Sequence, residues 1–287
     1  MLSASEIPLM AFMKRPRPAA ALGGIALLAG AAALATWTWP RPLQPEVRSL
    51  KAIVERLSRG NDLGTQPIAF MVGSGSYTAY LAQQRGLCKP EQCDLFAQLN
   101  PYKRYGNGWD ELIRQGYALD DIQGWSTSSG TVVIPRATFR AYGPHEGYLA
   151  CTVAHEIAHF RRHHVFKSSY QEHHNFKGLG EKPKELALMK LSRQQELEAD
   201  RDAADMMARA GYKGRVCQQE LEFGHRSAGD GSATEPESTH PGYEERVKAM
   251  RLHYDALEKK PPQAQRSTRG GFRYDADDNL LTFSPQP

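Results

Sequence analysis

The sequence predicts an α+β fold that is mainly helical, with one small sheet. Two observations carry this expectation. Apolar residues recur at helical spacing over the runs 46–59, 148–162, 184–210 and 243–257, and Gly60 and Gly211 stop two of them. Strand-like segments are few and short, chiefly Ile68 to Val72 and Thr131 to Pro135. A chain of 287 residues, 40% hydrophobic and 24% charged, can bury a core as one large or two small domains. Its net charge of +4 comes from scattered Lys and Arg without interleaved aromatics, which argues against a nucleic-acid partner. Nothing in the pattern sets an oligomeric state.

The N-terminus reads as a targeting segment. A basic lead, residues 1–18 with Lys14, Arg15 and Arg17, precedes an uncharged apolar run over 19–39. That run is either a signal peptide, with Ala33-Leu34-Ala35 as a small-x-small cleavage site, or a single transmembrane anchor with Trp37 and Trp39 at the outer interface. Met13 offers an alternative start with a shorter basic lead. In either case the positive residues stay inside, and the body after Pro40 is exported to the periplasm or the extracytoplasmic face of the inner membrane. If the segment is uncleaved, the membrane is itself a partner.

A Pro-rich link, 40–45, leads into the body at 46–258. The first helix, 46–59, carries Val47, Leu50, Ile53, Val54 and Leu57 on one stripe. The stretch 67–125 is less regular, with a strand from Ile68 to Val72, a helix-like run from Tyr77 to Gln84 and a turn at Gly106-Asn107-Gly108. In an exported chain the four cysteines suggest disulfides, Cys88 with Cys93 and Cys151 with Cys217; the alternative for Cys151 is a small buried core residue. Thr131-Val132-Val133-Ile134-Pro135 is β-branched, and Pro135 argues that it ends at, or lies on, a sheet edge. An edge formed by Val132, Val133 and Ile134 would receive an extended peptide through main-chain hydrogen bonds; otherwise it is simply the last strand of the sheet.

The next run carries His155-Glu156-Ile157-Ala158-His159. On a helix, i and i+4 share a face with Cβ atoms roughly 6 Å apart, so the two imidazoles can converge on one ion. Glu156, rotated about 100° around the axis, is placed to act on a water held there as a general base. The polar stretch that follows is expected to leave His163, His164, His173 and His174 solvated, since His163 lies about 12 Å along the axis from His155 at 1.5 Å per residue. In the run 184–210, Glu196 and Asp200 are again i and i+4. One carboxylate can ligate a metal while the other hydrogen-bonds a ligating imidazole, and Glu198 points elsewhere. The segment 224–239 is expected to be a mobile loop acting as a lid and delivering His240-Pro241. A last helix has Val247, Met250, Leu252 and Ala256 inward, and a tail, 259–287, has a hairpin pattern from Phe272 to Phe283.

HExxH, then Glu196-Leu-Glu-Ala-Asp200, then Thr239-His240-Pro241 with Arg246, resembles peptidase family M48 of zinc metallopeptidases over roughly residues 120–255. The resemblance implies a gluzincin-like metallopeptidase domain with an edge strand flanking the metal and one zinc ion per chain held by His155, His159 and Glu196. It also implies Glu156 as catalytic base, Asp200 as support for a ligand, and Arg246 beside the site. His240 would stand near the metal, steadying an oxyanion or closing the open position in a resting form. The stretch Ile122-Gln-Gly-Trp-Ser-Thr-Ser-Ser-Gly130 departs from the family's Asn-Ala-Phe-like pattern, so the groove is expected to differ. Without further spans or helical repeats, the chain resembles a minimal exported member of the HtpX-like or BepA-like type. The function implied is a zinc endopeptidase that binds exported or membrane-associated, including misfolded, polypeptides in extended form and cleaves them with a metal-activated water. The alternatives are an exported chaperone-like or binding module with a self-blocked zinc site, and a structural metal protein.

Overall fold

The computed structural model describes residues 43–73, 84–86, 124–228, 233–276 and 280–286. The basic lead, the 19–39 segment, the helix-like run before residue 84, the Cys88–Cys93 pair and the turn at 106–108 lie outside them. Among the described residues no helix is long and apolar enough to cross a membrane.

Helix α1, Pro45–Gly60, begins with proline in its first turn and buries the predicted stripe of Val47, Leu50, Ile53, Val54 and Leu57 almost completely. It ends against another helix so closely that a Cβ on Gly60 would sit 2.4 Å from the Arg209 carbonyl oxygen, a contact only glycine permits. Strand β1, Ile68–Gly73, and β3, Thr131–Pro135, run parallel, pairing Phe70 with Val132 and Val72 with Ile134. The tail supplies β4, Gly270–Asp275, and β5, Leu280–Pro285, the expected antiparallel hairpin. It is integral to the sheet, because β5 pairs with β1 and buries Leu281 and Phe283.

The expected edge strand is corrected. Beyond β3 lies β2, Trp125–Ser126, pairing Trp125 with Val133 and Ser126 with Val132, so the order is β2-β3-β1-β5-β4. Among the described residues the sheet ends at β2, and Val132 and Ile134 are fully buried. Two residues are too few for an alternation of apolar and polar positions to show in sequence, which is why β3 looked like the border.

Helix α2, Arg136–Tyr142, follows β3, and Arg136 forms a buried ion pair with Glu46 at 3.2 Å. Helix α3, Glu146–Arg161, carries the HExxH residues and is buried on nearly every side, with Leu149, Val153, Ile157 and Phe160 in the core. A short α4, His164–Tyr170, and a π-helical turn, Gln171–Asn175, precede α5, Glu181–Arg209. Only the second half of α5 is buried, through residues such as Ala199, Ala203 and Met207. Helix α6, Val216–Ala228, is tied to α3 by the Cys151–Cys217 disulfide, with Cα atoms 5.5 Å apart and 66 residues between them in sequence. Helix α7, Tyr243–Lys259, closes the body.

Two further expectations change. Residues 224–228 belong to α6, and Nη1 of Arg193 donates to the carbonyls of Pro236 and Ser238, both at 2.7 Å, so this end of the expected mobile loop is fastened to α5. On α7, Leu252 is 59% exposed and Ala256 also faces solvent, whereas Tyr254 is buried because its hydroxyl accepts from the backbone N–H of Cys217. That partner comes from a remote helix and leaves no trace in the α7 sequence.

Candidate metal centre

Helices α3 and α5 cross where each carries an i,i+4 pair. His155 and His159 project from α3, with their Nε2 atoms 2.9 Å apart. Glu196 meets them from α5, its two oxygens lying 3.2 Å from His155 Nε2 and 3.3 Å from His159 Nε2. Among the described residues these three form the group able to hold a metal ion. The fit is close: donors at about 2.0–2.1 Å from a tetrahedral ion stand roughly 3.3 Å apart, and here the two Nε2 atoms are 2.9 Å apart, with a Glu196 oxygen 3.2 Å from the one and the other oxygen 3.3 Å from the second. Three donors leave one position open.

Behind His155, its Nδ1 lies 3.1 Å from Asp200 Oδ1, and Arg246 grips the same carboxylate through Nε at 2.9 Å and Nη2 at 2.7 Å. Asp200 thus stands between the His155 ring and the Arg246 guanidinium. The electrostatics follow from this packing. Burial opposes charge on Asp200, but Arg246 prevails and holds its carboxyl down at about 2. Burial likewise opposes charge on Glu196, yet hydrogen bonds with the two imidazoles bring it well below the usual carboxylate range. His155 is raised well above the ordinary value, because Asp200 and Glu196 together outweigh its burial. The centre is built to attract positive charge.

Glu156 lies between the centre and the sheet edge, within electrostatic reach of both imidazoles. Burial pushes its carboxyl up against the lowering influence of the two imidazoles, and the Ser126 hydroxyl of β2 hydrogen-bonds it. A Cβ on Gly124 would come within 2.7 Å of Ile134 Cδ1 and 3.1 Å of Glu156 Cγ, so glycine lets the edge lie directly on the glutamate. His240 stands beside the triangle, with Nε2 3.7 Å from Glu196 Oε2 and Nδ1 2.9 Å from the Thr239 hydroxyl. Val132 and Ile134 are fully buried and Val133 is 7% exposed, and β2 occupies the main-chain edge of Val132 and Val133.

Several residues of the centre escaped the sequence reading. His164, expected in solvent, is 2% exposed, and its Nδ1 lies 3.0 Å from His159 Nδ1. The cause is local. His163 adopts a left-handed conformation, φ 54°, and turns the chain back on itself at the end of α3, so distances measured along a continued helix no longer apply. Glu198, expected to point elsewhere, reaches His164 Nε2 at 3.5 Å and Arg162 Nη1 at 3.2 Å. His164 is held down at about 4, first by burial and then by His159 beside it. Glu220 is buried on α6, where it accepts a hydrogen bond from the Tyr142 hydroxyl, and burial raises its pKa. Its position one helical turn after Cys217 was the only available hint.

Comparison with curated proteins and with solved structures gave no match. A family model described as Peptidase family M48 matches residues 122–253, a span that contains β2, the crossing of α3 and α5, His240 and Arg246. Residues 122–253 are thus a domain similar to peptidase family M48.

Proposed function

We propose that the protein is a zinc-dependent endopeptidase acting on extended polypeptide segments outside the cytoplasm. The observation that carries this reading is the donor triangle of His155, His159 and Glu196 with Glu156 beside it. Zinc held there supplies a Lewis acid that polarises a carbonyl oxygen and lowers the pKa of water toward about 7. Glu156 takes the proton of the attacking water and returns it to the leaving nitrogen. Its burial and the Ser126 hydrogen bond keep the carboxylate aimed while limiting water around it. Asp200, clamped by Arg246, accepts the Nδ1 proton of His155 and so presents Nε2 to the ion.

Among the described residues no strand pairs with the outer side of β2, so its main-chain groups are offered at the border of the sheet, and a peptide adding there as a further strand passes directly over Glu156. This replaces β3 as the substrate edge. Trp125, 48% exposed, gives such a peptide an apolar contact. Export is supported by the basic-then-apolar N-terminus and by the Cys151–Cys217 bond, which belongs to an oxidising compartment.

The position of His240 favours a second reading, a binding module whose metal is closed by that imidazole. Cleavage of an unfolded protein by the wild type and by Glu156→Gln, with zinc measured in both, separates the two. The peptidase reading expects zinc in both and cleavage only by the wild type. Equal behaviour of the two proteins on the substrate favours the binding module.

A further inference from the structure

We infer that His164 is the positioning residue for His159: it accepts the Nδ1 proton of His159 and thereby fixes the tautomer whose Nε2 lone pair faces the metal. This rests on the zinc reading above and deepens it.

The two Nδ1 atoms are 3.0 Å apart and the rings meet nearly edge to face, at 81°. One of these nitrogens must therefore donate and the other accept. Glu198 decides which. The buried His164 Nε2 makes no formed hydrogen bond, but the Glu198 Oε2 carboxylate oxygen stands 3.5 Å from it, so its charge favours the single proton of a neutral His164 on Nε2 and leaves Nδ1 as the acceptor. His159 then donates from Nδ1, and its Nε2, 3.3 Å from Glu196 Oε1, is bare on the side of the donor triangle. Each ring carries one proton.

The surroundings hold this order in place. Arg162 binds Glu198 at 3.2 Å and grips Asp202 at 2.5 and 2.8 Å. Gln195 Nε2 donates to the His164 carbonyl at 3.3 Å, and the Ser168 hydroxyl donates to Gln195 at 3.0 Å. The left-handed residue His163 brings His164 back over α3, a conformation that non-glycine residues adopt only when their surroundings enforce it. The two ligating imidazoles thus have unlike supports: His155 leans on a carboxylate, His159 on a neutral ring. Outer partners of ligating histidines commonly govern metal affinity by 10–100-fold.

The test is a zinc titration of the full chain against a chelator of known affinity. His164→Leu keeps bulk but removes the acceptor, and a zinc affinity weaker by about 10–100-fold is expected. His164→Asn places an acceptor oxygen near the former Nδ1 and is expected to restore most of that loss. In parallel, nitrogen-15 resonances of the histidines in the zinc-loaded wild type report the protons without any substitution, with His159 expected protonated at Nδ1 and His164 at Nε2. Wild-type affinity in His164→Leu, equal loss in both variants, or a proton on His164 Nδ1 would overturn the assignment. A wild-type chain that takes no zinc removes the metal reading itself, and this role with it.

Discussion

Glu156 is approached from two sides that are built in different ways. On the helical side, spacing within each helix fixes the groups, and buried ion pairs lock them: His155 and His159 from α3, Glu196 and Asp200 from α5, and Arg246 from α7 behind them. On the sheet side, a two-residue strand, a missing side chain at Gly124 and one hydroxyl at Ser126 set the distance between backbone and glutamate. The helical side has many mutually dependent contacts and little room to relax. The sheet side rests on close approach alone. Substitutions on the first should therefore abolish metal or chemistry, and those on the second should grade the rate while leaving the metal in place.

The largest effect expected is from His155→Ala or Glu196→Ala, each of which removes one of three donors. Zinc content measured by atomic absorption should fall to near background, and cleavage with it. Next comes Glu156→Gln, which should keep zinc at the wild-type level while kcat/KM drops by about 10²–10⁴-fold, the span that general acid–base catalysis ordinarily supplies. Equal zinc loss in all three variants would contradict the separate roles. Asp200→Asn should weaken zinc binding by about 10–100-fold in a chelator competition, since it frees the His155 ring and strips Arg246 of its bidentate partner. The smallest effect belongs to the sheet side. Gly124→Ala should lower kcat/KM by roughly 10-fold through a slight displacement of β2 from Glu156, the loss of about 1.4 kcal/mol of transition-state stabilisation, with zinc unchanged. If Gly124→Ala emptied the metal centre, the two sides would not be independent.

The same contrast explains what the sequence disclosed. The four main helices were legible because apolar residues recur on their buried faces, and the pairing of His155 with His159 and of Glu196 with Asp200 was legible because i,i+4 spacing is a local property of a helix. The Cys151–Cys217 pairing was also anticipated, as one of two readings. What stayed hidden depends on contacts between remote segments. Strand β2 exists only by pairing with Val132 and Val133. Glu220 matters only because Tyr142 meets it across the fold. His164 was misplaced for a more local reason, since a single residue with positive φ ended the helix one step before it and reversed its direction.

The central claim is that α3 and α5 together present three donors to one ion. Crystals of the chain grown with zinc, with diffraction recorded on both sides of the zinc absorption edge, test it most directly. The account predicts one anomalous peak per chain, bounded by His155 Nε2, His159 Nε2 and the Glu196 carboxylate. No peak there, or a peak with Glu196 turned away from the imidazoles, would contradict it.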